Sequence, residues 1–303
     1  MRKPDFSRRR QTVKNKLQPF DAINNVLLLL LSFVCVYPFI NIAAVSVSDG
    51  VQVMSGKVYL LPQGLNLETF KYIFSTPRMG ITQGMFNSLF YTVVGTVFAV
   101  CLTFATAYAL SKKRVKGRYA IMMLFLIAWI FDAGLIPNYL INQKLGLVDS
   151  RWIMILPGAI STFLLIVTRS FLDTLPYELE ESAFIDGAND LQIMGKIYFP
   201  LSTPVLATIS VFYAVNIWNS FLTPMIYLRD KALHPIQLIL YNLVIRPDPG
   251  STTMENVISD GYTLLPKNIE AAVIVLAIFP ILLVYPFAQR YFTQGMLLGS
   301  LKG

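Results

Sequence analysis

Charge is scarce in this chain. Only 14% of its 303 residues are Asp, Glu, Lys or Arg, whereas 55% are hydrophobic. Soluble domains carry about 25% charged residues, so the deficit excludes an ordinary water-soluble globule and points to lipid as the solvent. Histidine is nearly absent. The one ring, His234 beside Pro235, excludes a histidine-built metal site and a Ser-His triad. Cysteine is limited to Cys35 and Cys101, both inside apolar runs. That is neither a disulfide framework nor a metal-ligand spacing, and both are expected as buried small hydrophobes. No G-x-x-x-x-G-K-[ST] phosphate loop occurs in the sequence. If ATP drives this protein, another chain must bind it. Neither catalytic residues, nor a metal site, nor a cofactor is expected here.

What the chain has in abundance is long apolar runs. Six of them, near 24–46, 86–111, 119–137, 152–172, 201–226 and 269–290, approach or exceed the roughly 20 residues that a helix needs to cross about 30 Å of hydrocarbon. The expectation is an all-α membrane protein with six transmembrane helices, forming one domain over 24–303 after a polar tail, 1–23. That basic tail is too long for the leader of a cleaved signal peptide, so the first run reads as a retained anchor.

The net charge of +8 sits beside these runs, which suits a lipid-bound chain and sets nucleic acid aside. Seven Lys and Arg lie in the tail and five between Lys112 and Arg118. Arg169, Lys196, Arg290 and Lys302 bring that side to sixteen, against nine on the other. The richer side is cytoplasmic. Both termini and the segment 173–200 therefore face inward, and the long segments near 47–85 and 228–268 face outward.

Segment 173–200 is acid-rich and broken by glycine. Pro176 suits a first helical turn, and Glu178 and Glu180 sit where the helix dipole favours acids. Leu175, Leu179 and Ala183 share a face. Gly187 is placed to end the helix in the left-handed conformation. Asn189 and Gln192 then form an Asx version of a capping box for a second helix, with Leu191, Met194, Ile197 and Tyr198 as its apolar face and Pro200 before the fifth run. The residues alone describe either an ordered loop or a docking element.

The spacing resembles the EAA motif of the inner-membrane subunits of ABC importers. Glu181-Ser182-Ala183 is followed by Gly187 and then by Ile197-Tyr198-Phe199-Pro200, all at the motif's intervals, and Asp186 and Ala188 flank the glycine. Ser182 and Phe199 depart mildly from the pattern, standing where Ala and Leu are usual. The six runs and the closing QRYFTQGMLLGSLKG look like the maltose-type carbohydrate permeases, and more closely like the second permease of importers for complex oligosaccharides or polysaccharide fragments.

The resemblance implies a type I ABC importer permease fold in a bacterial cytoplasmic membrane, surrounded by lipid. The chain itself would hydrolyse nothing. Pro176–Ala188 would be a cytoplasmic coupling helix seated on an ATPase. Glu180, Glu181, Ser182, Ala183, Asp186, Gly187, Ala188 and Pro200 are its candidate coupling residues, with Glu181 pairing a basic residue of the ATPase. The tail residues Gly299, Ser300, Leu301, Lys302 and Gly303 would reach the same partner. Partners implied are a homologous second permease, two ATPase subunits carrying ATP and Mg, and an extracytoplasmic substrate-binding protein delivering a sugar or oligosaccharide.

For a substrate pathway, Tyr213, Asn216 and Ser220 align on one face of the fifth run, with Asn219 beside them. Amides and aromatic rings suit sugars, although such groups also join helices, and in the maltose system the substrate contacts fall mainly on the other permease. Asp132, an acid well inside a run, is a candidate for the pathway or for a structural role. The rival reading is an ion-gradient-driven secondary transporter. It would place ionisable groups near mid-bilayer and repeat its spans, and apart from Asp132 neither sign is present.

Overall fold

The computed structural model of the chain describes residues 19–245 and 266–300. Helix α1 (Pro19–Ser46) leads to two short helices, α2 (Gly50–Met54) and α3 (Glu68–Ser75), and then to α4 (Ile81–Ser111). Next come α5 (Arg118–Ile130), α6 (Leu135–Lys144) and α7 (Thr162–Leu172). The acid-rich segment holds α8 (Glu178–Ile185), α9 (Asp190–Ile193), a π turn over Met194–Tyr198 and α10 (Phe199–Leu201). The chain continues through α11 (Thr203–Trp218), α12 (Leu222–Tyr227) and α13 (Ile236–Val244) to α14 (Pro266–Ser300). Among the described residues the only extended pairing is an isolated bridge between Ser48 and Leu65.

Three stretches, 23–46, 81–111 and 267–286, are each long and apolar enough to cross a membrane. None of the apolar window in α1 is buried within the chain, against 44% of that in α4. Helix α4 is therefore the central element. It packs along α11 and α7 and touches α13, while α1 lies outside against α14. The core joining α4, α7, α11 and the acid-rich segment includes Phe104, Ala107, Leu165, Ile193, Tyr198 and Ile209. Gly95 lets α4 approach α11 closely, since a Cβ there would lie 2.8 Å from Ile217 Cδ1.

Several run boundaries differ from the expected ones, for local reasons. The run 119–137 is not one helix. It ends at Ile130 and resumes as α6 at 118°. Gly134, at φ 81° and ψ 177°, occupies a region open essentially to glycine alone. The run 152–172 is helical only over 162–172, after a 3₁₀ turn at Arg151–Met154 and irregular backbone. Pro157 and Gly158 prevent an earlier start. The run 201–226 kinks by 82° at its beginning and breaks again between α11 and α12. Helix α14 starts before 269 and continues past 290 to Ser300. Cys35 and Cys101, expected inside, are exposed. Hydrophobicity marks the inside of a protein only when water is the solvent.

Candidate functional site

The acid-rich segment is fastened from behind. Glu180, on the inner face of α8, is buried, and its carboxylate accepts from Lys112 Nζ at 2.6 Å. Tyr198 OH donates to the same oxygen at 3.2 Å, and Arg114 lies 3.4 Å from the other. The Lys112 ammonium stands 3.5 Å from the centroid of the Tyr198 ring and 4.2 Å from that of Tyr108, within reach of cation–π attraction. Burial pushes the Lys112 ammonium below its ordinary range, and the Glu180 carboxylate opposes the shift. Burial and then the Glu180 charge push the Tyr198 hydroxyl upward. Arg114 also pairs with Asp190 at the start of α9 and covers the Phe184 ring at 4.6 Å.

Local geometry follows the sequence closely. Gly187 sits at φ 81°, and Asn189 and Gln192 form the reciprocal capping box. On the second apolar face Met194, Ile197 and Tyr198 pack on the core as expected, with Ile193 in place of Leu191. Leu191 is exposed, while Ile193 and Tyr198, five residues apart, are buried. The π turn widens the helix by one residue per turn, which brings Ile193 rather than Leu191 into line with Tyr198.

The candidate coupling residues divide into two groups. Glu180 and Ala183 turn into the core and are buried. Glu181, Ser182, Asp186, Gly187 and Pro200 are exposed and Ala188 is half-buried. Ile185, at 86% exposure, and Phe184 give this outer face apolar anchors among its acids. Gly299 and Ser300 fall within the backbone of α14, whereas Leu301, Lys302 and Gly303 lie outside the described residues.

A second site lies between α4, α11 and the irregular backbone before α7. A cavity of about 440 Å³ is lined by Gly95, Ile155, Pro157, Ser161, Phe212, Tyr213, Asn216, Ser220 and Thr223, among others, and none of its lining residues is ionisable at neutral pH. Non-helical backbone at membrane depth is tolerated where it borders a cavity or is buried in protein. Here Ser161 N–H donates to Tyr213 OH at 2.9 Å, and that hydroxyl shares a 2.7 Å hydrogen bond with Thr103. Tyr213 is thus committed to holding backbone. Asn216 and Ser220 face the cavity, and Asn219 borders an adjoining one with both. Asp132 belongs elsewhere. Its exposed carboxylate accepts from Gly134 N–H at 3.2 Å and Asn138 Nδ2 at 3.4 Å, bracing the turn before α6.

The family described as binding-protein-dependent transport system inner membrane component matches residues 17–298. The chain belongs to that family. Such ABC importer permeases are non-catalytic membrane components of their transporters. The polygalacturonan/rhamnogalacturonan transport system permease protein YtcP of Bacillus subtilis (strain 168) is 43% identical over 291 residues, 96% of this chain and 100% of the relative. Protein LplC of the same organism is 41% identical, over 94% of this chain and 95% of its own. A solved chain of a bacterial ABC transporter involved in the import of the acidic polysaccharide alginate is 32% identical with a TM-score of 0.85, covering 96% of this chain and 100% of that one. The type I ABC permease fold follows.

Three features of this permease are not marked by any local sequence pattern. Lys112 and Arg114 counted only as inward-facing charge, although they sit on Glu180. Gly95 gave no signal, because a lone glycine inside an apolar run predicts no particular neighbour. Ser161 acquires its role through Tyr213, 52 residues away, a relation that no local pattern encodes.

Proposed function

We propose that this chain forms half of the translocation pathway of an ATP-driven importer of oligosaccharides or polysaccharide fragments in a bacterial cytoplasmic membrane. It crosses the bilayer six times, with the bent pair α5–α6, the stretch 152–172 and the run 201–226 each making one crossing, and both termini lie in the cytoplasm. The outer face of α8 seats on an ATPase. Ile185 and Phe184 are its apolar anchors there, and Glu181 and Asp186 meet basic groups that fix orientation and register. Glu180 and Ala183 hold the helix from inside. ATP and Mg reside on two ATPase subunits, which also meet the tail 299–303. A homologous second permease completes the pathway, and a substrate-binding protein docks outside on segments 47–85 and 228–268.

Sugar transport is supported by the names of the relatives and by the cavity, where Asn216 and Ser220 offer neutral polar groups suited to hydroxyls. The observation that carries the coupling role is an eight-residue helix locked by a buried ion pair, with an apolar, acidic face left uncovered. Purification of the tagged chain from its native membranes in mild detergent tests the reading. An ATPase and a second permease are expected to accompany it, and Glu181→Lys is expected to lose the ATPase. A chain that emerges alone from several detergents contradicts the proposal.

A further inference from the structure

The Lys112–Glu180 pair joins elements that are far apart in function. Lys112 directly follows the last residue of α4, and Glu180 belongs to α8. Their side chains are 6% and 2% exposed. Tyr198 brings in the π turn, and Arg114 bridges Glu180 to Asp190 of α9. At 31 residues, α4 is about 46 Å long. Its middle lines the cavity at Gly95. Its far end is bonded to the segment before α13. Asn87 Nδ2 donates to the Ala232 and His234 carbonyls at 2.7 and 3.1 Å, and Tyr91 OH donates to Leu233 O at 2.9 Å. Ile236 N–H donates to Ser88 Oγ at 2.8 Å.

We propose that Lys112 and Glu180 are positioning residues forming a strut that makes α8 and α4 one rigid lever, so that a displacement of α8 reaches the cavity and segment 232–236 undiminished. This rests on the coupling role proposed for α8. Two points favour a strut over a stabilising contact alone. A buried ion pair is weak evidence for stability, since apolar replacement of both partners is often neutral or better. Here the charges also meet where α4, α8, α9 and the π turn come together. A compact core transmits displacement because it does not deform continuously.

Spin labels at Phe86→Cys, near the far end of α4, and Glu178→Cys, an exposed position at the start of α8 outside the proposed docking face, test the lever in the assembled complex purified from native membranes, with Cys35 and Cys101 replaced by Ser. In the parent protein the inter-label distance is expected to be the same without nucleotide and with Mg·ATP and vanadate. In Lys112→Met or Glu180→Gln, normalised to assembled complex, it is expected to shift or broaden on adding nucleotide by roughly 5 Å, about one helical turn. Tyr198→Phe, which keeps the ion pair, gives a smaller broadening of the same sign and serves if the charge variants fail to assemble. A parent distance that itself changes with nucleotide, or variants indistinguishable from it, overturns the strut. Failure of the coupling role is seen separately, because the ATPase is then absent from the complex or remains bound to Glu181→Lys.

Discussion

Adjacent residues in the acid-rich segment have opposite surroundings. Glu180 is enclosed by Lys112, Tyr198 and Arg114, whereas Glu181 is exposed. Removing one member of a buried pair leaves the other charge uncompensated, at about 3–5 kcal/mol, although replacing both can be neutral. Glu180→Gln is therefore expected to lower stability by about 3 kcal/mol, while Glu181→Gln stays within about 0.5 kcal/mol. Unfolding of the purified chain in detergent measures both. Gly187 presents a different constraint. No atom lies within 4 Å of the position a Cβ would take, but its φ is 81°. A side chain there costs conformational energy rather than a clash, about 1–2 kcal/mol. Gly187→Val is expected to insert normally yet uncouple ATP hydrolysis from uptake, with Gly187→Asn close to the parent because Asn visits this region more readily. Normal uptake by the valine variant would contradict the turn's role.

At the scale of elements, α7 is short. Its 11 residues span about 16 Å, half of a hydrocarbon core, and the irregular backbone before it borders the cavity. Tyr213 keeps that backbone in place. Tyr213→Phe removes the acceptor for Ser161 N–H and the partner of Thr103, an expected loss of about 1–3 kcal/mol in a buried setting. Asn216→Ala, whose side chain faces the cavity, should alter uptake with little change in unfolding midpoint. Paired melting and uptake measurements separate holding from lining. Elements were legible in the sequence where the signal is local. The helix stop at Gly187, the capping box at Asn189 and the apolar length of α1, α4 and α14 all depend on neighbours a few residues away. The break at 131–134, the late start of α7 and the inward turn of Glu180 depend on Gly134 geometry, on Pro157 and on a lysine 68 residues distant. Hydropathy averages over all three.

For the whole molecule, the balance of apolar surface is inverted relative to a soluble protein. Leu27 to Leu31 stand exposed along α1, the outer shell is the oily part, and polar groups collect around the cavity and at helix ends. Such a chain provides a path but no chemistry of its own, so the outer face of α8 proposed to meet the ATPase is where energy would enter it. The most direct test is site-specific photo-cross-linking in native membranes from Ile185, with Leu31 of α1 as the reference position. The account predicts that a probe at Ile185 captures an ATPase subunit and that one at Leu31 does not. An Ile185 probe that captures no ATPase, in membranes from which the ATPase co-purifies with the chain, would contradict it.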